Sequence, residues 1–159
     1  MGLVRETRSV PLPVERTAEL WIDLKRWATF IEGFSHVVDV DENWPQSGSK
    51  LVWESVAGGR GRVTERVLSW VAPNEGPGRL STQVFEESLV GTQTVTFESG
   101  EGGSRVGIDL QYDLQPTTFA RQGVIGKVSD VLFIRRALSD SLARTLRRFS
   151  IEAAEEVAL

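Results

Sequence analysis

The C-terminal stretch from Ser129 to Val157 places the strongest constraint on how this chain can fold. Apolar side chains recur there at spacings of three and four residues, which is the period of one face of an α-helix. The stripe runs through Val131, Ile134 or Arg135, Leu138, Leu142, Leu146, Phe149 and Ala153. At about 1.5 Å per residue such a helix is roughly 40 Å long. An apolar stripe of that length needs an equally long partner to bury it.

Charged side chains occupy the opposite face of this predicted helix, at i, i+4 spacing and with alternating sign over much of its length. They are Arg136, Asp140, Arg144, Arg148, Glu152 and Glu156. Ser129 and Asp130 suit the start of the helix, as a cap and as a negative charge near the positive end of its dipole.

The rest of the chain has mostly the period of two that is typical of β-strands. The predicted strands are 3–10, 36–41, 51–57, 62–71, 79–87, 90–98 and 105–114, and two amphipathic helices, 14–24 and 27–34, follow the first of them. Short links between consecutive strands predict antiparallel pairing, because a parallel crossover needs a dozen residues or more. We therefore predict one sheet curled around the C-terminal helix. The connection 116–127 is irregular and fits a lid, a short helix or a plain loop.

Size and composition exclude several classes of protein. With 159 residues and no linker, the chain is expected to form one domain over residues 1–159. Its net charge of −4 does not favour nucleic acid, and the lack of cysteine removes disulfides and thiolate chemistry. Neither a signal peptide nor an apolar run of about 20 residues is visible. The cytoplasm is therefore the expected compartment.

The first helical region carries residues that resemble a known superfamily. These are Pro13, Trp21, Asp23, Trp27 and Phe30, and the stretch 135–149 is similar to the closing helix of the same proteins. Together with the order of elements, they resemble the START-like superfamily, also called Bet v 1-like or SRPBCC. The nearest branch is the polyketide cyclase/dehydrase and lipid transport proteins. The resemblance covers nearly the whole chain and implies an α+β helix-grip fold: a curved antiparallel seven-stranded sheet around the long helix, with two short helices between strands 1 and 2.

The resemblance also implies a cavity between the helix and the sheet that holds a hydrophobic or aromatic small molecule. No cofactor and no metal are expected, and a zinc site of several histidines is excluded because His36 is the only histidine. The molecule is expected to be a monomer or a homodimer that does not bind nucleic acid.

Glu65 and His36 are the first two candidates for proton transfer. Glu65 shares strand parity with Val63 and Val67, so it faces the cavity if those valines do, and burial would raise its pKa into a range useful for acid–base chemistry. Alternatively, a bulge breaks the parity, or Trp70 marks the inner face, and Glu65 is a solvated cross-strand partner. His36 shares parity with Val38 and could be a ligand contact, a proton carrier or a structural residue at the rim.

Further candidates stand on apolar strand faces or on the helix stripe. Tyr112, the third candidate for proton transfer, could bind a ligand carbonyl or be capped by the backbone. Candidate ligand-binding residues are Trp53, Trp70, Gln93, Phe97, Leu138 and Leu142, mostly apolar or aromatic with one amide, as is usual in small-molecule sites.

Three functions are compatible with these patterns. The leading one is a ligand-binding protein that, if it is an enzyme, cyclises or dehydrates a poly-β-ketone, with the cavity folding the substrate. The second is a non-catalytic carrier or sensor of lipids, quinones or aromatic metabolites. The third is an interaction module that uses its basic C-terminal helix, since seven basic and two acidic residues lie between Arg121 and Arg148. That charge would suit contact with an anionic membrane surface or an acidic protein.

Overall fold

The computed structural model describes residues 1–115 and 128–159. Strand β1 (Gly2–Val10) is followed by helix α1 (Val14–Ile22), a 3₁₀ turn (Leu24–Arg26) and helix α2 (Trp27–Phe30). Six strands come next: β2 (Phe34–Val40), β3 (Lys50–Ser55), β4 (Arg62–Val71), β5 (Gly78–Phe85), β6 (Leu89–Gly100) and β7 (Gly103–Leu114). Helix α3 (Val128–Ala158) closes the chain.

All the strands belong to one antiparallel sheet with the order β1-β7-β6-β5-β4-β3-β2. The six consecutive strands pair as a meander, and β1 returns to the edge beside β7, with Val4 opposite Leu110. The predicted fold is thereby confirmed: a seven-stranded antiparallel sheet, a long C-terminal helix, and two short helices after the first strand.

The first helices pack on the C-terminal half of α3 through aromatic rings. The ring of Trp21 lies 5.2 Å from that of Phe30 and 5.0 Å from that of Phe149, and Phe30 and Phe149 are 4.9 Å apart. Trp27 also anchors this end, because its Nε1 donates a hydrogen bond to the carbonyl of Trp21 at 2.7 Å. This end of the molecule is therefore closed by a dense aromatic cluster.

Burial changes along α3. Leu146, Phe149 and Ala153 are at most 1% exposed and belong to the main core. Leu138, nearer the start of the helix, is only partly buried, against a smaller apolar cluster of Val4, Leu89, Leu110 and Tyr112. Phe133, one turn earlier, is 72% exposed. The helix thus packs tightly on the sheet at one end and loosely at the other.

Strand β2 departs from a simple period of two. Its pairing with β3 shifts register between Phe34 and His36 and again between Val37 and Asp39. Val37 consequently packs on the core, whereas His36 and Val38 are exposed. The prediction that parity could turn His36 inward is wrong, because bulges invert the faces of this edge strand.

Candidate functional site

A narrow cavity of about 40 Å³ lies between the inner face of the sheet and α3. Its walls are mostly aromatic and aliphatic: Trp21, Trp27, Ile31, Trp53, Leu80, Val84, Val95, Ile108 and Leu142. Polar groups enter it from strands, turns and helix: Glu32, Arg60, Glu65, Thr82, Gln93, Ser141 and Thr145. An apolar wall with a few convergent polar groups is the usual composition of a small-molecule site.

Glu65 is the buried carboxylate of this cavity. It stands on β4 between the inward-facing Val63 and Val67 and is 5% exposed. The indole Nε1 of Trp53 donates a hydrogen bond to Oε2 at 2.8 Å, and the hydroxyl of Thr82 donates one to Oε1 at 3.0 Å. Both carboxylate oxygens are therefore held in place by side chains of the neighbouring strands.

Sheet register explains why these partners meet. Glu65 is paired with Leu51 of β3 and with Val84 of β5. Trp53 and Thr82 each lie two residues from those partners, so they are diagonal neighbours on the same face, within reach of a long side chain.

Burial raises the pKa of the Glu65 carboxyl above its ordinary value, because the apolar surroundings penalise the charged form. The hydrogen bonds from Trp53 and Thr82 and the positive charge of Arg60 oppose this effect and lower the pKa, but burial prevails.

The second carboxylate of the cavity, Glu32, has the opposite shift. Partial burial favours its protonated form, yet hydrogen bonds from Arg144 and Ser141 and the charge of Arg144 hold the pKa of Glu32 below its ordinary value. One carboxyl of the site is thus biased towards the neutral acid and the other towards the anion, a separation typical of acid–base sites.

Arg60 lies at the mouth of the cavity, in the turn between β3 and β4. Its guanidinium carbon is 5.2 Å from the ring centroid of Trp53, and the group forms an ion pair with the buried carboxylate of Glu86. Ser88 also donates a hydrogen bond to Glu86, at 3.1 Å. The stacked and ion-paired guanidinium is held over the indole that supports Glu65.

A larger apolar groove of about 340 Å³ continues outward from the narrow cavity, beneath the loosely packed start of α3. The two spaces share Arg60, Gln93, Ser141 and Leu142. The groove is otherwise lined mainly by apolar residues: Leu89, Leu110, Leu114, Phe133, Ile134, Ala137 and Leu138. Small-molecule pockets are typically about 300–1,000 Å³, so the groove reaches the size of a ligand site and the cavity alone does not.

The structure brings together five of the residues predicted for the site. Glu65, Trp53, Gln93 and Leu142 line the cavity, and Leu138 lines the groove.

The other predicted site residues lie elsewhere. His36 is exposed and shares a hydrogen bond with Ser35. Tyr112 is buried in the small cluster beside Val4 rather than in the described cavity lining, and burial, opposed by the charge of Arg135, raises the pKa of its hydroxyl. Phe97 and Trp70 contact each other in the core, with ring centroids 6.4 Å apart. Phe97 has inward strand parity, whereas Trp70 has the parity opposite to Glu65 and reaches the core only after the register of β4 shifts between Val67 and Ser69. Position along the strand then decides whether an inward side chain meets the core or the cavity. The connection 116–127 lies outside the described residues.

Sequence reasoning missed Arg60, Thr82 and Glu86. Thr82 had a usable signal, since it lies two residues from both Leu80 and Val84 and so shares their inward face of β5. Arg60 sits in a glycine-rich turn, where no period indicates the direction of a side chain.

Two kinds of feature are missing from the described parts of the chain. No helix there is long and apolar enough to cross a membrane. No group of three or more acidic or histidine side chains within residues 1–115 and 128–159 is arranged to hold a metal ion.

The sequence model for the family described as polyketide cyclase / dehydrase and lipid transport matches residues 1–153. No curated protein matches the chain.

Solved structures share the fold at low identity. A protein from Thermus thermophilus has a TM-score of 0.72 at 19% identity, with 98% of this chain and 99% of that chain covered. A START superfamily protein from Mycobacterium smegmatis has a TM-score of 0.71 at 11% identity, with 96% and 97% covered. The di-domain ARO/CYC StfQ of the steffimycin biosynthetic pathway has a TM-score of 0.72 at 16% identity, over 99% of this chain and 52% of that one. At such identities these structures are similar in fold alone.

Proposed function

This chain belongs to the polyketide cyclase / dehydrase and lipid transport family, and we propose that it binds a hydrophobic or aromatic small molecule beneath the start of α3. The body of the ligand lies in the 340 Å³ groove, and its polar end reaches past Gln93 towards Glu65. The observation that carries this proposal is the continuity of the two spaces. An apolar groove of ligand size leads directly to a buried carboxyl held by two donors.

Two physical terms favour such a ligand. Burying apolar ligand surface contributes about 25 cal/mol per Å² removed from water. The neutral acid of Glu65 and the amide of Gln93 can donate hydrogen bonds to a carbonyl or hydroxyl oxygen. A ligand with such an oxygen at its polar end therefore gains a hydrogen bond that a purely apolar ligand cannot form.

A fluorescent apolar probe tests the binding proposal. We expect Nile red to bind the purified protein with enhanced emission, and Leu142→Trp to weaken binding by at least about tenfold, a loss of about 1.4 kcal/mol, because the larger ring fills the junction of cavity and groove. Leu68→Trp, a matched change on the exposed outer face of β4, should leave binding intact. Equal affinity in both variants would place the ligand elsewhere.

Catalysis by Glu65 is a second proposal, and the raised pKa of its carboxyl favours it. The carboxylate would remove a proton from the carbon next to a ligand carbonyl, and the electron pair of that C–H bond would move to the carbonyl oxygen as an enolate. The resulting acid would return the proton after the enolate carbon attacks a second carbonyl, which leaves an alkoxide. This sequence is the enolising chemistry of a cyclase or dehydratase.

Deuterium exchange separates a catalyst from a non-catalytic carrier or sensor of lipids or quinones. A phenyl-substituted alkyl ketone such as 4-phenyl-2-butanone, incubated with the protein in D₂O and followed by NMR, should exchange the protons next to its carbonyl faster than in buffer. Glu65→Gln should remove that acceleration while Nile red still binds, and the exposed Glu98→Gln should not. Probe binding without any acceleration by the native protein favours the carrier.

A further inference from the structure

The start of α3 exposes large apolar side chains beside the groove. Val131, Leu132 and Phe133 are 45%, 58% and 72% exposed. Other exposed apolar side chains occur mostly singly on the strands or near the end of α3. A run of apolar residues at the rim of a groove marks an interaction surface more often than an isolated exposed residue does.

Positive charge adjoins these side chains. Arg135 and Arg136 are both exposed. Arg136 lies four residues after Leu132 and three after Phe133, so all three share one outward side of the helix. On the side of α3 that faces β1, an open groove of about 600 Å³ is lined by Arg5, Arg135 and Arg136 together with Leu132.

The exposed patch formed by residues 131–136 adjoins the proposed ligand groove, because Phe133 forms part of the lining of that groove. The start of α3 therefore separates a basic groove, beside β1, from an apolar groove that leads to Glu65. A surface that covered the exposed side of this helix would cover the mouth of the apolar groove as well.

We propose that residues 131–136 dock the protein on an anionic lipid bilayer, with Leu132 and Phe133 inserted among the acyl chains and Arg135 and Arg136 placed at the phosphate level. The chain carries a net charge of −4, so a bilayer of negative charge is attracted by this basic region and repelled by the net negative charge of the rest of the chain. That contrast orients the protein with the groove mouth towards the lipid. The purpose of docking, exchange of an apolar ligand with the membrane, rests on the proposed function; docking itself does not.

Apolar insertion and charge act differently and can be measured separately. Each Arg or Lys near an anionic leaflet contributes about 1 kcal/mol, roughly a fivefold effect on affinity, and salt weakens this contribution. Inserted Leu and Phe side chains act through buried area, which salt does not screen.

Vesicle flotation tests the proposal. The full chain should float with phosphatidylcholine vesicles that contain about 30% phosphatidylserine, should bind pure phosphatidylcholine much more weakly, and should lose affinity as salt rises from about 50 to about 300 mM. Leu132→Ser with Phe133→Ser should reduce binding at both salt concentrations. Arg135→Gln with Arg136→Gln should reduce binding at low salt by roughly tenfold or more.

Matched controls come from the same helix. Arg147→Gln with Arg148→Gln removes another adjacent pair of exposed arginines, roughly 18 Å along the helix axis, and Ile151→Ser removes a side chain that is 50% exposed. Both variants should bind vesicles like the native protein.

Equal losses in the controls, or no flotation of the native protein, would overturn the proposal. So would dimerisation that depends on Leu132 and Phe133 in the absence of lipid, since a second copy would then cover the patch. Nile red binding without vesicles reports independently on the ligand site.

Discussion

Glu65 is held by partners of unequal chemistry, and this inequality decides where its proton resides. The indole Nε1–H of Trp53 can only donate, so Oε2 must accept in either protonation state. The hydroxyl of Thr82 can donate or accept, so the neutral acid carries its proton on Oε1. The acidic hydrogen is therefore directed to the side of the carboxyl that faces Thr82.

Replacing Glu65 by Gln should change the pH dependence of stability. The amide oxygen can accept from Trp53 and the amide nitrogen can donate to Thr82, so both hydrogen bonds survive and only the titration is lost. Because the folded state raises the pKa of Glu65, its contribution to stability is fully present below the unfolded-state pKa and is lost as the pH rises through the folded-state pKa. The loss is at most about 1.4 kcal/mol per pH unit.

Urea denaturation between acidic and mildly alkaline pH measures this prediction. As the pH rises, the free energy of unfolding of Glu65→Gln should increase relative to that of the native protein. At acidic pH the two free energies should converge. The exposed Glu98→Gln should follow the native curve throughout. Parallel curves for Glu65→Gln and native protein would show that Glu65 titrates alike in the folded and unfolded states.

Trp53→Phe should extend the pH-dependent loss of stability caused by Glu65 to a higher pH. The change removes the hydrogen bond that lowers the pKa of Glu65, so the folded-state pKa rises further and stability continues to fall to a higher pH. An unsatisfied carboxyl oxygen also costs about 1–3 kcal/mol. Trp27→Phe is the matched control, because the equally buried indole of Trp27 donates to a backbone carbonyl instead. It should lower stability without altering the pH profile.

Helix α3 combines two different environments in one element. Its C-terminal half packs into the aromatic core, whereas its start lies over a groove. Ion pairs with the first helices reinforce the packed half, since Glu152 pairs with Arg26 and Glu156 with Arg16.

A matched pair of leucine substitutions measures this difference. Leu146→Ala should destabilise the protein by about 2–5 kcal/mol, because it leaves a cavity in a packed core. Leu138→Ala should cost about 1 kcal/mol or less, because that side chain is only partly buried and borders a groove. Thermal and urea unfolding give both values. A larger loss for Leu138→Ala would mean that the start of the helix is the better packed half.

The elements also show how far the sequence can predict this site. Alternation on β3 and on the first part of β4 was enough to place Trp53 and Glu65 on the inner face, before a register shift between Val67 and Ser69 breaks the pattern and turns Trp70 to the core. Alternation failed on β2, where bulges that leave no mark in the residue pattern turned His36 outward. For Phe97, the inward face was predictable, but its place in the core instead of the cavity depends on sheet curvature and helix position. Those are properties of the whole fold.

On the scale of the whole molecule, the space between the sheet and α3 widens from one end of the helix to the other, because the helix is packed unevenly. The sheet and α3 are joined firmly where Trp21, Phe30 and Phe149 meet, and they diverge towards Phe133. The divergence leaves the groove open at the end where the helix is least supported. A molecule of this shape has its lowest local stability beside its proposed ligand site, which is common for elements that admit ligands.

Hydrogen exchange should therefore report ligand binding unevenly along α3. Without ligand, backbone amides of residues 133–142 should exchange faster than those of 146–156, because fewer buried contacts oppose local opening there. A saturating apolar probe such as Nile red should slow exchange in 133–142 and leave 146–156 nearly unchanged, since the core beneath the latter is already packed.

Binding to the folded state stabilises it by RT ln(1 + [L]/Kd), about 2.7 kcal/mol at one hundred times Kd, and protection should follow this dependence on concentration. Uniform protection along the helix, or protection confined to its C-terminal half, would contradict a ligand site beneath the start of α3.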